Sequence, residues 1–269
     1  MRMYLPVQPP LLARGRLDAN YRYREFKPSR VLEPFVACYW TLNYHASDTF
    51  HLHRIIPDGC VDIIFDLRSP SLINGAFVVG LMTQYEATSL SASRSLFGIR
   101  LFSDSARHVT AYAVSEFIDR KVLLDDLWGQ EASLITERVC TAGDVSDRIE
   151  RVESKLVDCI RSNECIADHL LRQSMQYMYA SRGTISIPAL ADKLSYSERT
   201  IRRTFQQELG ISPKELSSII RFQNLLRELN GGTRSRLTDL ALKYGYYDQS
   251  HFIRHFKRYY GLAPKQVIE

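Results

Sequence analysis

Apolar and polar residues alternate along the first hundred residues in the short runs that are typical of β-strands. The runs are rich in aromatic and β-branched side chains and are bounded by turn residues. Five strands are predicted on this pattern, over residues 35–44, 51–56, 60–67, 76–81 and 95–102. Between the second and third lies Pro57-Asp58-Gly59, in which Pro fixes φ and Gly accepts a positive φ. The sequence therefore predicts a hairpin over residues 54–67.

Beyond residue 103 the apolar residues recur at three- and four-residue spacing, which is typical of amphipathic helices. A helical connector is predicted to begin within residues 103–124, followed by helices over 122–143 and 145–161. The last helix carries one apolar stripe, made of Ile149, Val152, Leu156, Val157 and Ile160. Such a stripe packs either into the core or against a second copy of the chain, and core or linker packing is the favoured interpretation.

The last third of the chain contains an internal repeat, in which residues 189–216 match residues 239–267. Leu190-Ala191 matches Leu240-Ala241, and Ser195-Tyr196 matches Gly245-Tyr246. After one inserted residue, five further pairs follow at one spacing: Ser197 with Asp248, Arg203 with Arg254, Phe205 with Phe256, Gly210 with Gly261 and Pro213 with Pro264. The consistent spacing indicates two copies of one structural unit.

Each copy has the features of a helix-turn-helix unit. A small residue, Ala191 or Ala241, allows a second helix to approach the first, and Ser197 or Asp248 caps that second helix through its side-chain oxygen. The two second helices are predicted over residues 197–208 and 248–259, and Ile201 and Phe205, or Phe252 and Phe256, anchor them to the core. The positions predicted to face outward are Glu198, Arg199, Thr200, Arg202 and Arg203 in the first copy, and Gln249, Ser250, His251, Ile253 and Arg254 in the second.

Those outward residues suit the major groove of DNA. Arg bonds guanine and Gln bonds adenine in pairs of hydrogen bonds, and the first turns of such a helix are the part that reaches base edges. A helical repeat that merely has a polar face is the alternative. The repeated order of small residue, turn, cap and basic helix favours DNA binding.

The charge distribution agrees with a polyanionic partner. Of the 35 basic and 30 acidic residues, 14 and 8 lie in residues 183–269, whereas 21 and 22 lie in residues 1–182. The whole positive excess is therefore in the last third, where Lys and Arg would neutralise phosphates. Charge alone is equally compatible with a solvated surface.

At these residues the sequence resembles the DNA-binding domain of the AraC/XylS family of bacterial transcription regulators, and LALKYGYYDQSHFIRHFKRYYGLAPKQ fits the family signature almost throughout. The resemblance implies a long central helix over residues 213–229, which holds both recognition helices about 34 Å apart for successive major grooves. It places base contacts on Arg199, Arg202, Arg203, Gln249, Ser250, His251 and Arg254. Ser197 at the helix cap also belongs to the expected DNA-binding set, and the candidates for backbone contacts are Thr200, Lys257 and Arg258.

The N-terminal part resembles the N-terminal domain of one AraC subgroup, through RIIPDGCVDIIFDL, FVVGLMT, FGIRLFSDSA and VLLDDLWG. This implies a β-rich, cupin-like sensor or dimerisation domain. The expected fold class is therefore α+β, with a sensor domain and helical connector over residues 1–164 and an all-α double helix-turn-helix domain over 165–269. The expected partners are double-stranded DNA and RNA polymerase, with a small-molecule effector and a second copy of the chain as further candidates, and no membrane.

Other features allow several interpretations. His51 and His53 on one strand face suggest a metal site, but solvated or hydrogen-bonded histidines are favoured, and no metal or cofactor is predicted. Tyr39 and Trp40 are either core or an effector platform, and Arg54 and Arg100 either bind an anionic effector or pair with carboxylates; no effector-binding residue is assigned.

The sequence also separates classes of function. The five cysteines are scattered, and no signal peptide or membrane-spanning run is apparent, so a cytoplasmic location is expected. No catalytic motif is found, and no catalytic residue is predicted. The competing hypotheses are a helix-turn-helix protein that binds other proteins instead of DNA, and a DNA-modifying enzyme.

Overall fold

The computed structural model describes residues 4–8, 20–46, 51–71, 74–163, 169–231 and 237–268. Its N-terminal part is built from two antiparallel sheets, and its C-terminal part is helical. The β-rich first part and the helical second part confirm the α+β fold class.

Eight strands form the two sheets. They are β1 (Tyr21–Phe26), β2 (Val36–Tyr44), β3 (His51–Ile55), β4 (Cys60–Asp66), β5 (Ala76–Val79), β6 (Glu86–Leu90), β7 (Arg94–Phe102) and β8 (Lys121–Leu123). The larger sheet has the order β1-β2-β7-β4-β5-β8, and β3 pairs with β6 in a separate two-stranded sheet, called the ribbon below.

Alternation along β2 gives the large sheet two different faces. Tyr39 faces the main core, whereas Trp40 and Leu42 belong to a smaller apolar cluster on the other face. Trp40 is paired across the sheet with Gly98, and a Cβ on that glycine would lie 2.0 Å from the indole ring. Gly98 therefore leaves the space in which Trp40 lies against the sheet.

The hairpin predicted over residues 54–67 is wrong. β3 pairs with β6, and β4 lies between β5 and β7 in the large sheet. The turn at Pro57-Asp58-Gly59 exists, with Gly59 at φ +72° and the Asp58 carboxylate accepting a hydrogen bond from the Cys60 amide. It carries the chain from one sheet to the other, because strand pairing is decided by distant partners and not by the turn alone.

Helices and short connections follow the sheets. They are α1 (Ser103–Thr110), a 3-10 turn (Val114–Phe117), α2 (Leu124–Trp128), α3 (Gln130–Thr141) and α4 (Val145–Ser162). The single helix predicted over 122–143 is wrong, since residues 121–123 form β8 and Gly129, at φ +55°, separates α2 from α3. On α4, Val152 and Leu156 are buried while Ile149, Val157 and Ile160 pack partly buried against the core, in agreement with core packing of the stripe.

The C-terminal helices are α5 (His169–Ala180), α6 (Ile187–Leu194), α7 (Glu198–Leu209), α8 (Pro213–Asn230), α9 (Leu237–Lys243), α10 (Gln249–Tyr260) and α11 (Lys265–Ile268). The predicted recognition helices and the long central helix correspond to α7, α10 and α8 within two residues at each end. The expected domain boundary at residues 164 and 165 lies outside the described residues. No helix in the described parts of the chain is long and apolar enough to cross a membrane.

Candidate DNA interface

The two helix-turn-helix units repeat the same local geometry. Ser197 caps α7 by accepting a hydrogen bond from the Thr200 amide at 3.1 Å, and Asp248 caps α10 by accepting one from the His251 amide at 2.7 Å. The turn before each cap contains a residue in the left-handed region, Ser195 at φ +57° or Gly245 at φ +69°. The matched caps and turns come from the sequence repeat, and they fix the first turns of α7 and α10, which are called the reader helices below.

Apolar side chains hold each reader helix on one face. Ile201 and Phe205 of α7 are fully buried, and so are Phe252 and Phe256 of α10 to within 2%. The outward position predicted for Ile253 is wrong, because its side chain is half-buried and packs against the core. Its register on α10 lies beside the buried Phe252, so the apolar stripe of the second reader helix is one residue wider than expected.

The polar side chains predicted to read DNA lie mostly on the opposite, solvent-facing side. The exposed members are Ser197, Arg199, Arg202, Arg203, Gln249, Ser250, Arg254, Lys257 and Arg258. Thr200 is half-buried, with its hydroxyl 2.8 Å from that of Ser197. His251 is also half-buried, and its ring packs edge-on against Tyr246 and His255 at centroid distances of 5.5 and 4.4 Å.

The arginines differ in how their charge is engaged. Arg202 pairs with Glu198 at 2.8 Å on the same helix, and Arg258 pairs with Glu215 of α8 at 2.9 Å. Among the residues that the structure describes, Arg199, Arg203 and Arg254 have no ion-pair partner. Their guanidinium groups therefore need not give up an internal partner before they contact DNA.

Two exposed tyrosines precede the reader helices and were not predicted as part of the interface. Tyr196 is 48% exposed and Tyr247 is 90% exposed, each directly before a helix cap. Tyr247 is the residue by which the second copy is longer than the first, and this insertion was the available signal in the sequence.

A half-buried histidine pair gives α10 an unusual titration. Burial, followed by the neighbouring His251 and the arginines 221, 258 and 254, lowers the pKa of His255 from 6.5 to about 4. His255 is therefore neutral at pH 7, and its protonation opposes the folded state.

A second candidate site is a cavity of about 370 Å³ between the large sheet and the ribbon. Apolar side chains such as Trp40, Leu42 and Phe77 form much of one wall, and His53, Ile55 and Leu90 come from the ribbon. The placement of Trp40 on this wall and of Tyr39 in the core separates two residues that the sequence could not distinguish.

The polar end of the cavity is organised around Arg100, which is 3% exposed. It bonds both oxygens of Asp62, at 3.1 and 3.2 Å, and lies 3.2 Å from Asp58 and 3.4 Å from Glu25. Of the two interpretations of Arg100, carboxylate pairing is the one the structure contains. The pKa of Asp58 is raised to about 6, because burial outweighs the opposing effect of Arg100 and the Asp62 carboxylate adds to the rise.

Arg54, His51 and His53 are the other residues that the sequence offered as candidates for binding an effector or a metal. Arg54 donates a hydrogen bond to the carbonyl oxygen of Tyr260, and His53 Nδ1 lies 3.1 Å from the Tyr21 hydroxyl. The described residues contain no group of three or more His, Cys, Asp or Glu side chains arranged to hold a metal ion. The side chain of His51 lies outside the described residues.

Comparison with known proteins divides the chain in the same way. A family model described as a domain of unknown function, DUF6597, matches residues 24–123, and one described as a helix-turn-helix domain matches residues 190–269. An uncharacterized HTH-type transcriptional regulator of Haemophilus influenzae is 36% identical over 80 residues, which are 30% of this chain and 26% of the relative. The HTH-type transcriptional activator RhaS of Escherichia coli is 30% identical over 79 residues, 29% of this chain and 28% of RhaS.

The matched part thus spans little more than a quarter of the length of these relatives. Among solved structures, ToxT of Vibrio cholerae has a TM-score of 0.41 at 14% identity, with 93% of this chain and 98% of ToxT covered. A ToxT structure with a bound unsaturated fatty acid has a TM-score of 0.40 at 13% identity, with 93% and 95% covered. Residues 190–269, which contain the capped and repeated helix-turn-helix units, are therefore similar to the helix-turn-helix domains of HTH-type transcriptional regulators.

Proposed function

We propose that the chain is a transcription regulator that binds double-stranded DNA sequence-specifically through α7 and α10. The observation that carries the proposal is the pair of capped reader helices, each with a buried apolar face and an exposed face with unpaired arginines. Central helix α8 connects the two units, so the readers would enter successive major grooves about one helical turn apart.

Within that interface the side chains have different roles. Arg199, Arg203 and Arg254 are free to bond guanine in pairs of hydrogen bonds, and Gln249 is suited to adenine. Further base contacts are assigned to Arg202, Ser250 and His251, and backbone contacts to Ser197, Thr200, Lys257 and Arg258. The pairing of Arg258 with Glu215 engages its guanidinium on the protein, so Arg258 is assigned to the DNA backbone, a contact that positions the protein without reading sequence.

The N-terminal domain is proposed to control this binding. Its cavity has the size and the mixed lining, apolar with a few polar groups, that small-molecule sites usually have. A small effector in that cavity, RNA polymerase as a protein partner and assembly with a second copy complete the proposed set of partners.

The test is selection of bound duplexes from a random DNA pool by the full-length protein at stated salt. The expected result is one motif with two elements about one helical turn apart. A pool that remains flat, with protein shown to be folded, would contradict sequence-specific reading. A variant with both Arg203 and Arg254 replaced by Ala is the matched control, because both side chains are exposed and their removal leaves the buried face of each helix intact.

A further inference from the structure

The ribbon lies between the cavity and the C-terminal domain, with one face towards each. Its strands pair residue by residue, with His53 opposite Thr88 and Arg54 opposite Ala87. Because side chains alternate along a strand, His53, Ile55 and Thr88 border the cavity whereas Arg54 points away from it. Within the described residues the ribbon shares no strand pairing with the six-stranded sheet, and the Tyr21 hydroxyl of β1 reaches it only through the side chain of His53, so its position depends largely on what packs against its two faces.

On its outer side the ribbon contacts the end of the second reader helix. Arg54 Nη1 donates to the Tyr260 carbonyl oxygen at 2.8 Å, and its guanidinium lies over the Tyr260 ring at 5.2 Å. The Tyr85 amide, next to β6, donates to the Arg258 carbonyl at 3.2 Å. The Tyr85 ring lies so close to Gly261 that a Cβ there would be 2.4 Å from it. Arg54, Tyr85, Tyr260 and Gly261 are called the interdomain contact below.

The chemistry of this contact suits a helix C-terminus. The last carbonyl groups of a helix have no partner within the helix and carry partial negative charge, so a guanidinium that donates to one of them is favoured. The glycine that ends α10, at φ +84°, leaves room for the Tyr85 ring. The N-terminal domain therefore holds α10 at its C-terminal end, while Gln249 and Ser250 at its other end remain exposed.

The first reader helix is held by a different part of the N-terminal domain. Arg107 of α1 pairs with Glu208 at 2.7 Å, and the Ser115 hydroxyl donates to the Gln207 carbonyl at 2.6 Å. Neither Arg107 nor Ser115 borders the cavity, whereas the ribbon does. A change at the ribbon wall of the cavity consequently has a direct structural connection to α10.

We propose that the ribbon is the regulatory element of the chain: occupation of the cavity shifts the ribbon, breaks the interdomain contact and changes the placement of α10, while α7 is unaffected. This inference rests on the proposed function for its effect on DNA, but the coupling itself is a property of the protein alone. Because the first turns of both reader helices are uncovered with the contact intact, the contact positions the second reader and does not cover it.

The test uses the full chain and substitutions in place of an unidentified ligand. Arg54→Ala breaks the contact, Arg54→Lys keeps the charge, and Val79→Trp fills the cavity from the wall opposite the ribbon. Arg22→Ala and Ser89→Trp are matched controls, at an exposed β1 position and at an exposed position of the ribbon. Affinity is measured for the selected two-element duplex and for a duplex with only the element read by α7.

Arg54→Ala and Val79→Trp are each expected to lower affinity for the two-element duplex by about fivefold or more, the lower end of ordinary coupling between sites. Affinity for the single-element duplex stays unchanged, and Arg54→Lys falls between wild type and Arg54→Ala. In the double variant the two losses do not add, because both act through one contact. Additive losses, or an Arg54→Ala protein that binds the two-element duplex as tightly as wild type, would overturn the proposal.

Hydrogen exchange distinguishes failure of the coupling through the ribbon from failure of the proposed DNA binding. Val79→Trp is expected to speed exchange of the Tyr85 amide, which donates to Arg258 across the domains, and to leave amides of α7 unchanged. That result in a protein that selects no DNA motif would leave the coupling standing and reject sequence-specific reading. Unchanged exchange at Tyr85 in a folded variant would reject the coupling, whatever the DNA result.

Discussion

At the scale of single residues, the arginines of the reader helices differ in whether a carboxylate pairs with them. Arg202 and Arg258 have carboxylate partners at 2.8 and 2.9 Å, and breaking such exposed pairs costs little. Arg203 of α7 and Arg254 of α10 occupy matching positions of the repeat and have no such partner among the described residues. Each reader helix therefore contains an arginine with a carboxylate partner and an arginine without one in the described part of the chain, so the two kinds can be compared within the same helix.

Arg203→Ala and Arg254→Ala are expected to weaken binding to the selected duplex by about 1–3 kcal/mol each and to relax preference at different base pairs. The reason is that each removes a bidentate base contact from a different half of the site. Competition with duplexes mutated one position at a time measures both effects. Arg24→Ala, at an exposed strand position, is the matched control; a uniform loss across all sequences would identify a phosphate contact instead.

His255 predicts a pH dependence of stability. Its pKa is about 4 in the folded chain and 6.5 ordinarily, so between these values the unfolded state binds more protons. This contribution to stability is complete above pH 6.5 and is lost as the pH falls towards 4. Asp58 acts in the opposite direction, because its pKa is raised from 3.8 to about 6 and the folded state takes up its proton first.

The effects of His255 and Asp58 on the pH dependence of stability are distinguished by comparing wild type with His255→Gln. Urea unfolding at pH 7 and pH 5 is expected to show a smaller loss, or a gain, of stability on acidification for the variant. Parallel changes in the two proteins would show that His255 does not titrate between these pH values.

At the scale of elements, the turn between the helices of each unit tests the repeat directly. Ser195 and Gly245 both adopt positive φ, which costs a residue with a Cβ about 1 kcal/mol relative to glycine. Ser195→Gly is expected to stabilise the fold by roughly 0.5–1 kcal/mol, and Gly245→Ser to destabilise it by a similar amount. A Cβ on Gly245 would approach Arg221 no closer than 3.4 Å, so the effect is conformational. Thermal unfolding of the two variants measures it, and equal signs would contradict it.

The elements also show where sequence reasoning succeeded. The helices of both units were predicted because caps, turns and apolar spacing are local signals, and the repeat supplied each of them twice. β6 was missed because four of its five residues are exposed and no apolar alternation marks it. The partner of β3 was wrong for a related reason: a turn signal is local, whereas pairing depends on a strand more than thirty residues away.

The parts of the candidate sites that depend on local sequence were predictable, and the parts that depend on contacts between distant residues were not. Exposure of the reader face follows from helix periodicity, and most of the predicted contacts lie there. The network around Arg100 and the contact of Arg54 with Tyr260 join residues from distant parts of the chain. No local pattern encodes them, so the sequence could only offer Arg54 and Arg100 as charged residues with two alternative roles.

At the scale of the whole molecule, the charge asymmetry has a structural counterpart. The excess of 14 basic over 8 acidic residues in 183–269 includes the exposed side chains of α7 and α10, while buried Arg100 in the N-terminal domain is matched by three carboxylates. The positive charge available to a polyanion is therefore concentrated in the domain with the reader helices, and affinity for duplex DNA should depend on salt.

The exposed Lys and Arg side chains of α7 and α10 would neutralise about four to six phosphates of a duplex, which predicts a slope of roughly −4 to −5 in a plot of log K against log salt concentration. Lys257→Gln should reduce the magnitude of the slope by about 1 and weaken binding evenly across sequences, since Lys257 is assigned to the backbone. Lys27→Gln, at an exposed N-terminal position, removes the same charge and should leave the slope unchanged. Fluorescence anisotropy with a random duplex and with the selected duplex supplies both slopes. A slope near zero would favour a helix-turn-helix protein that binds other proteins, because only displaced counterions make the affinity depend on salt in this way.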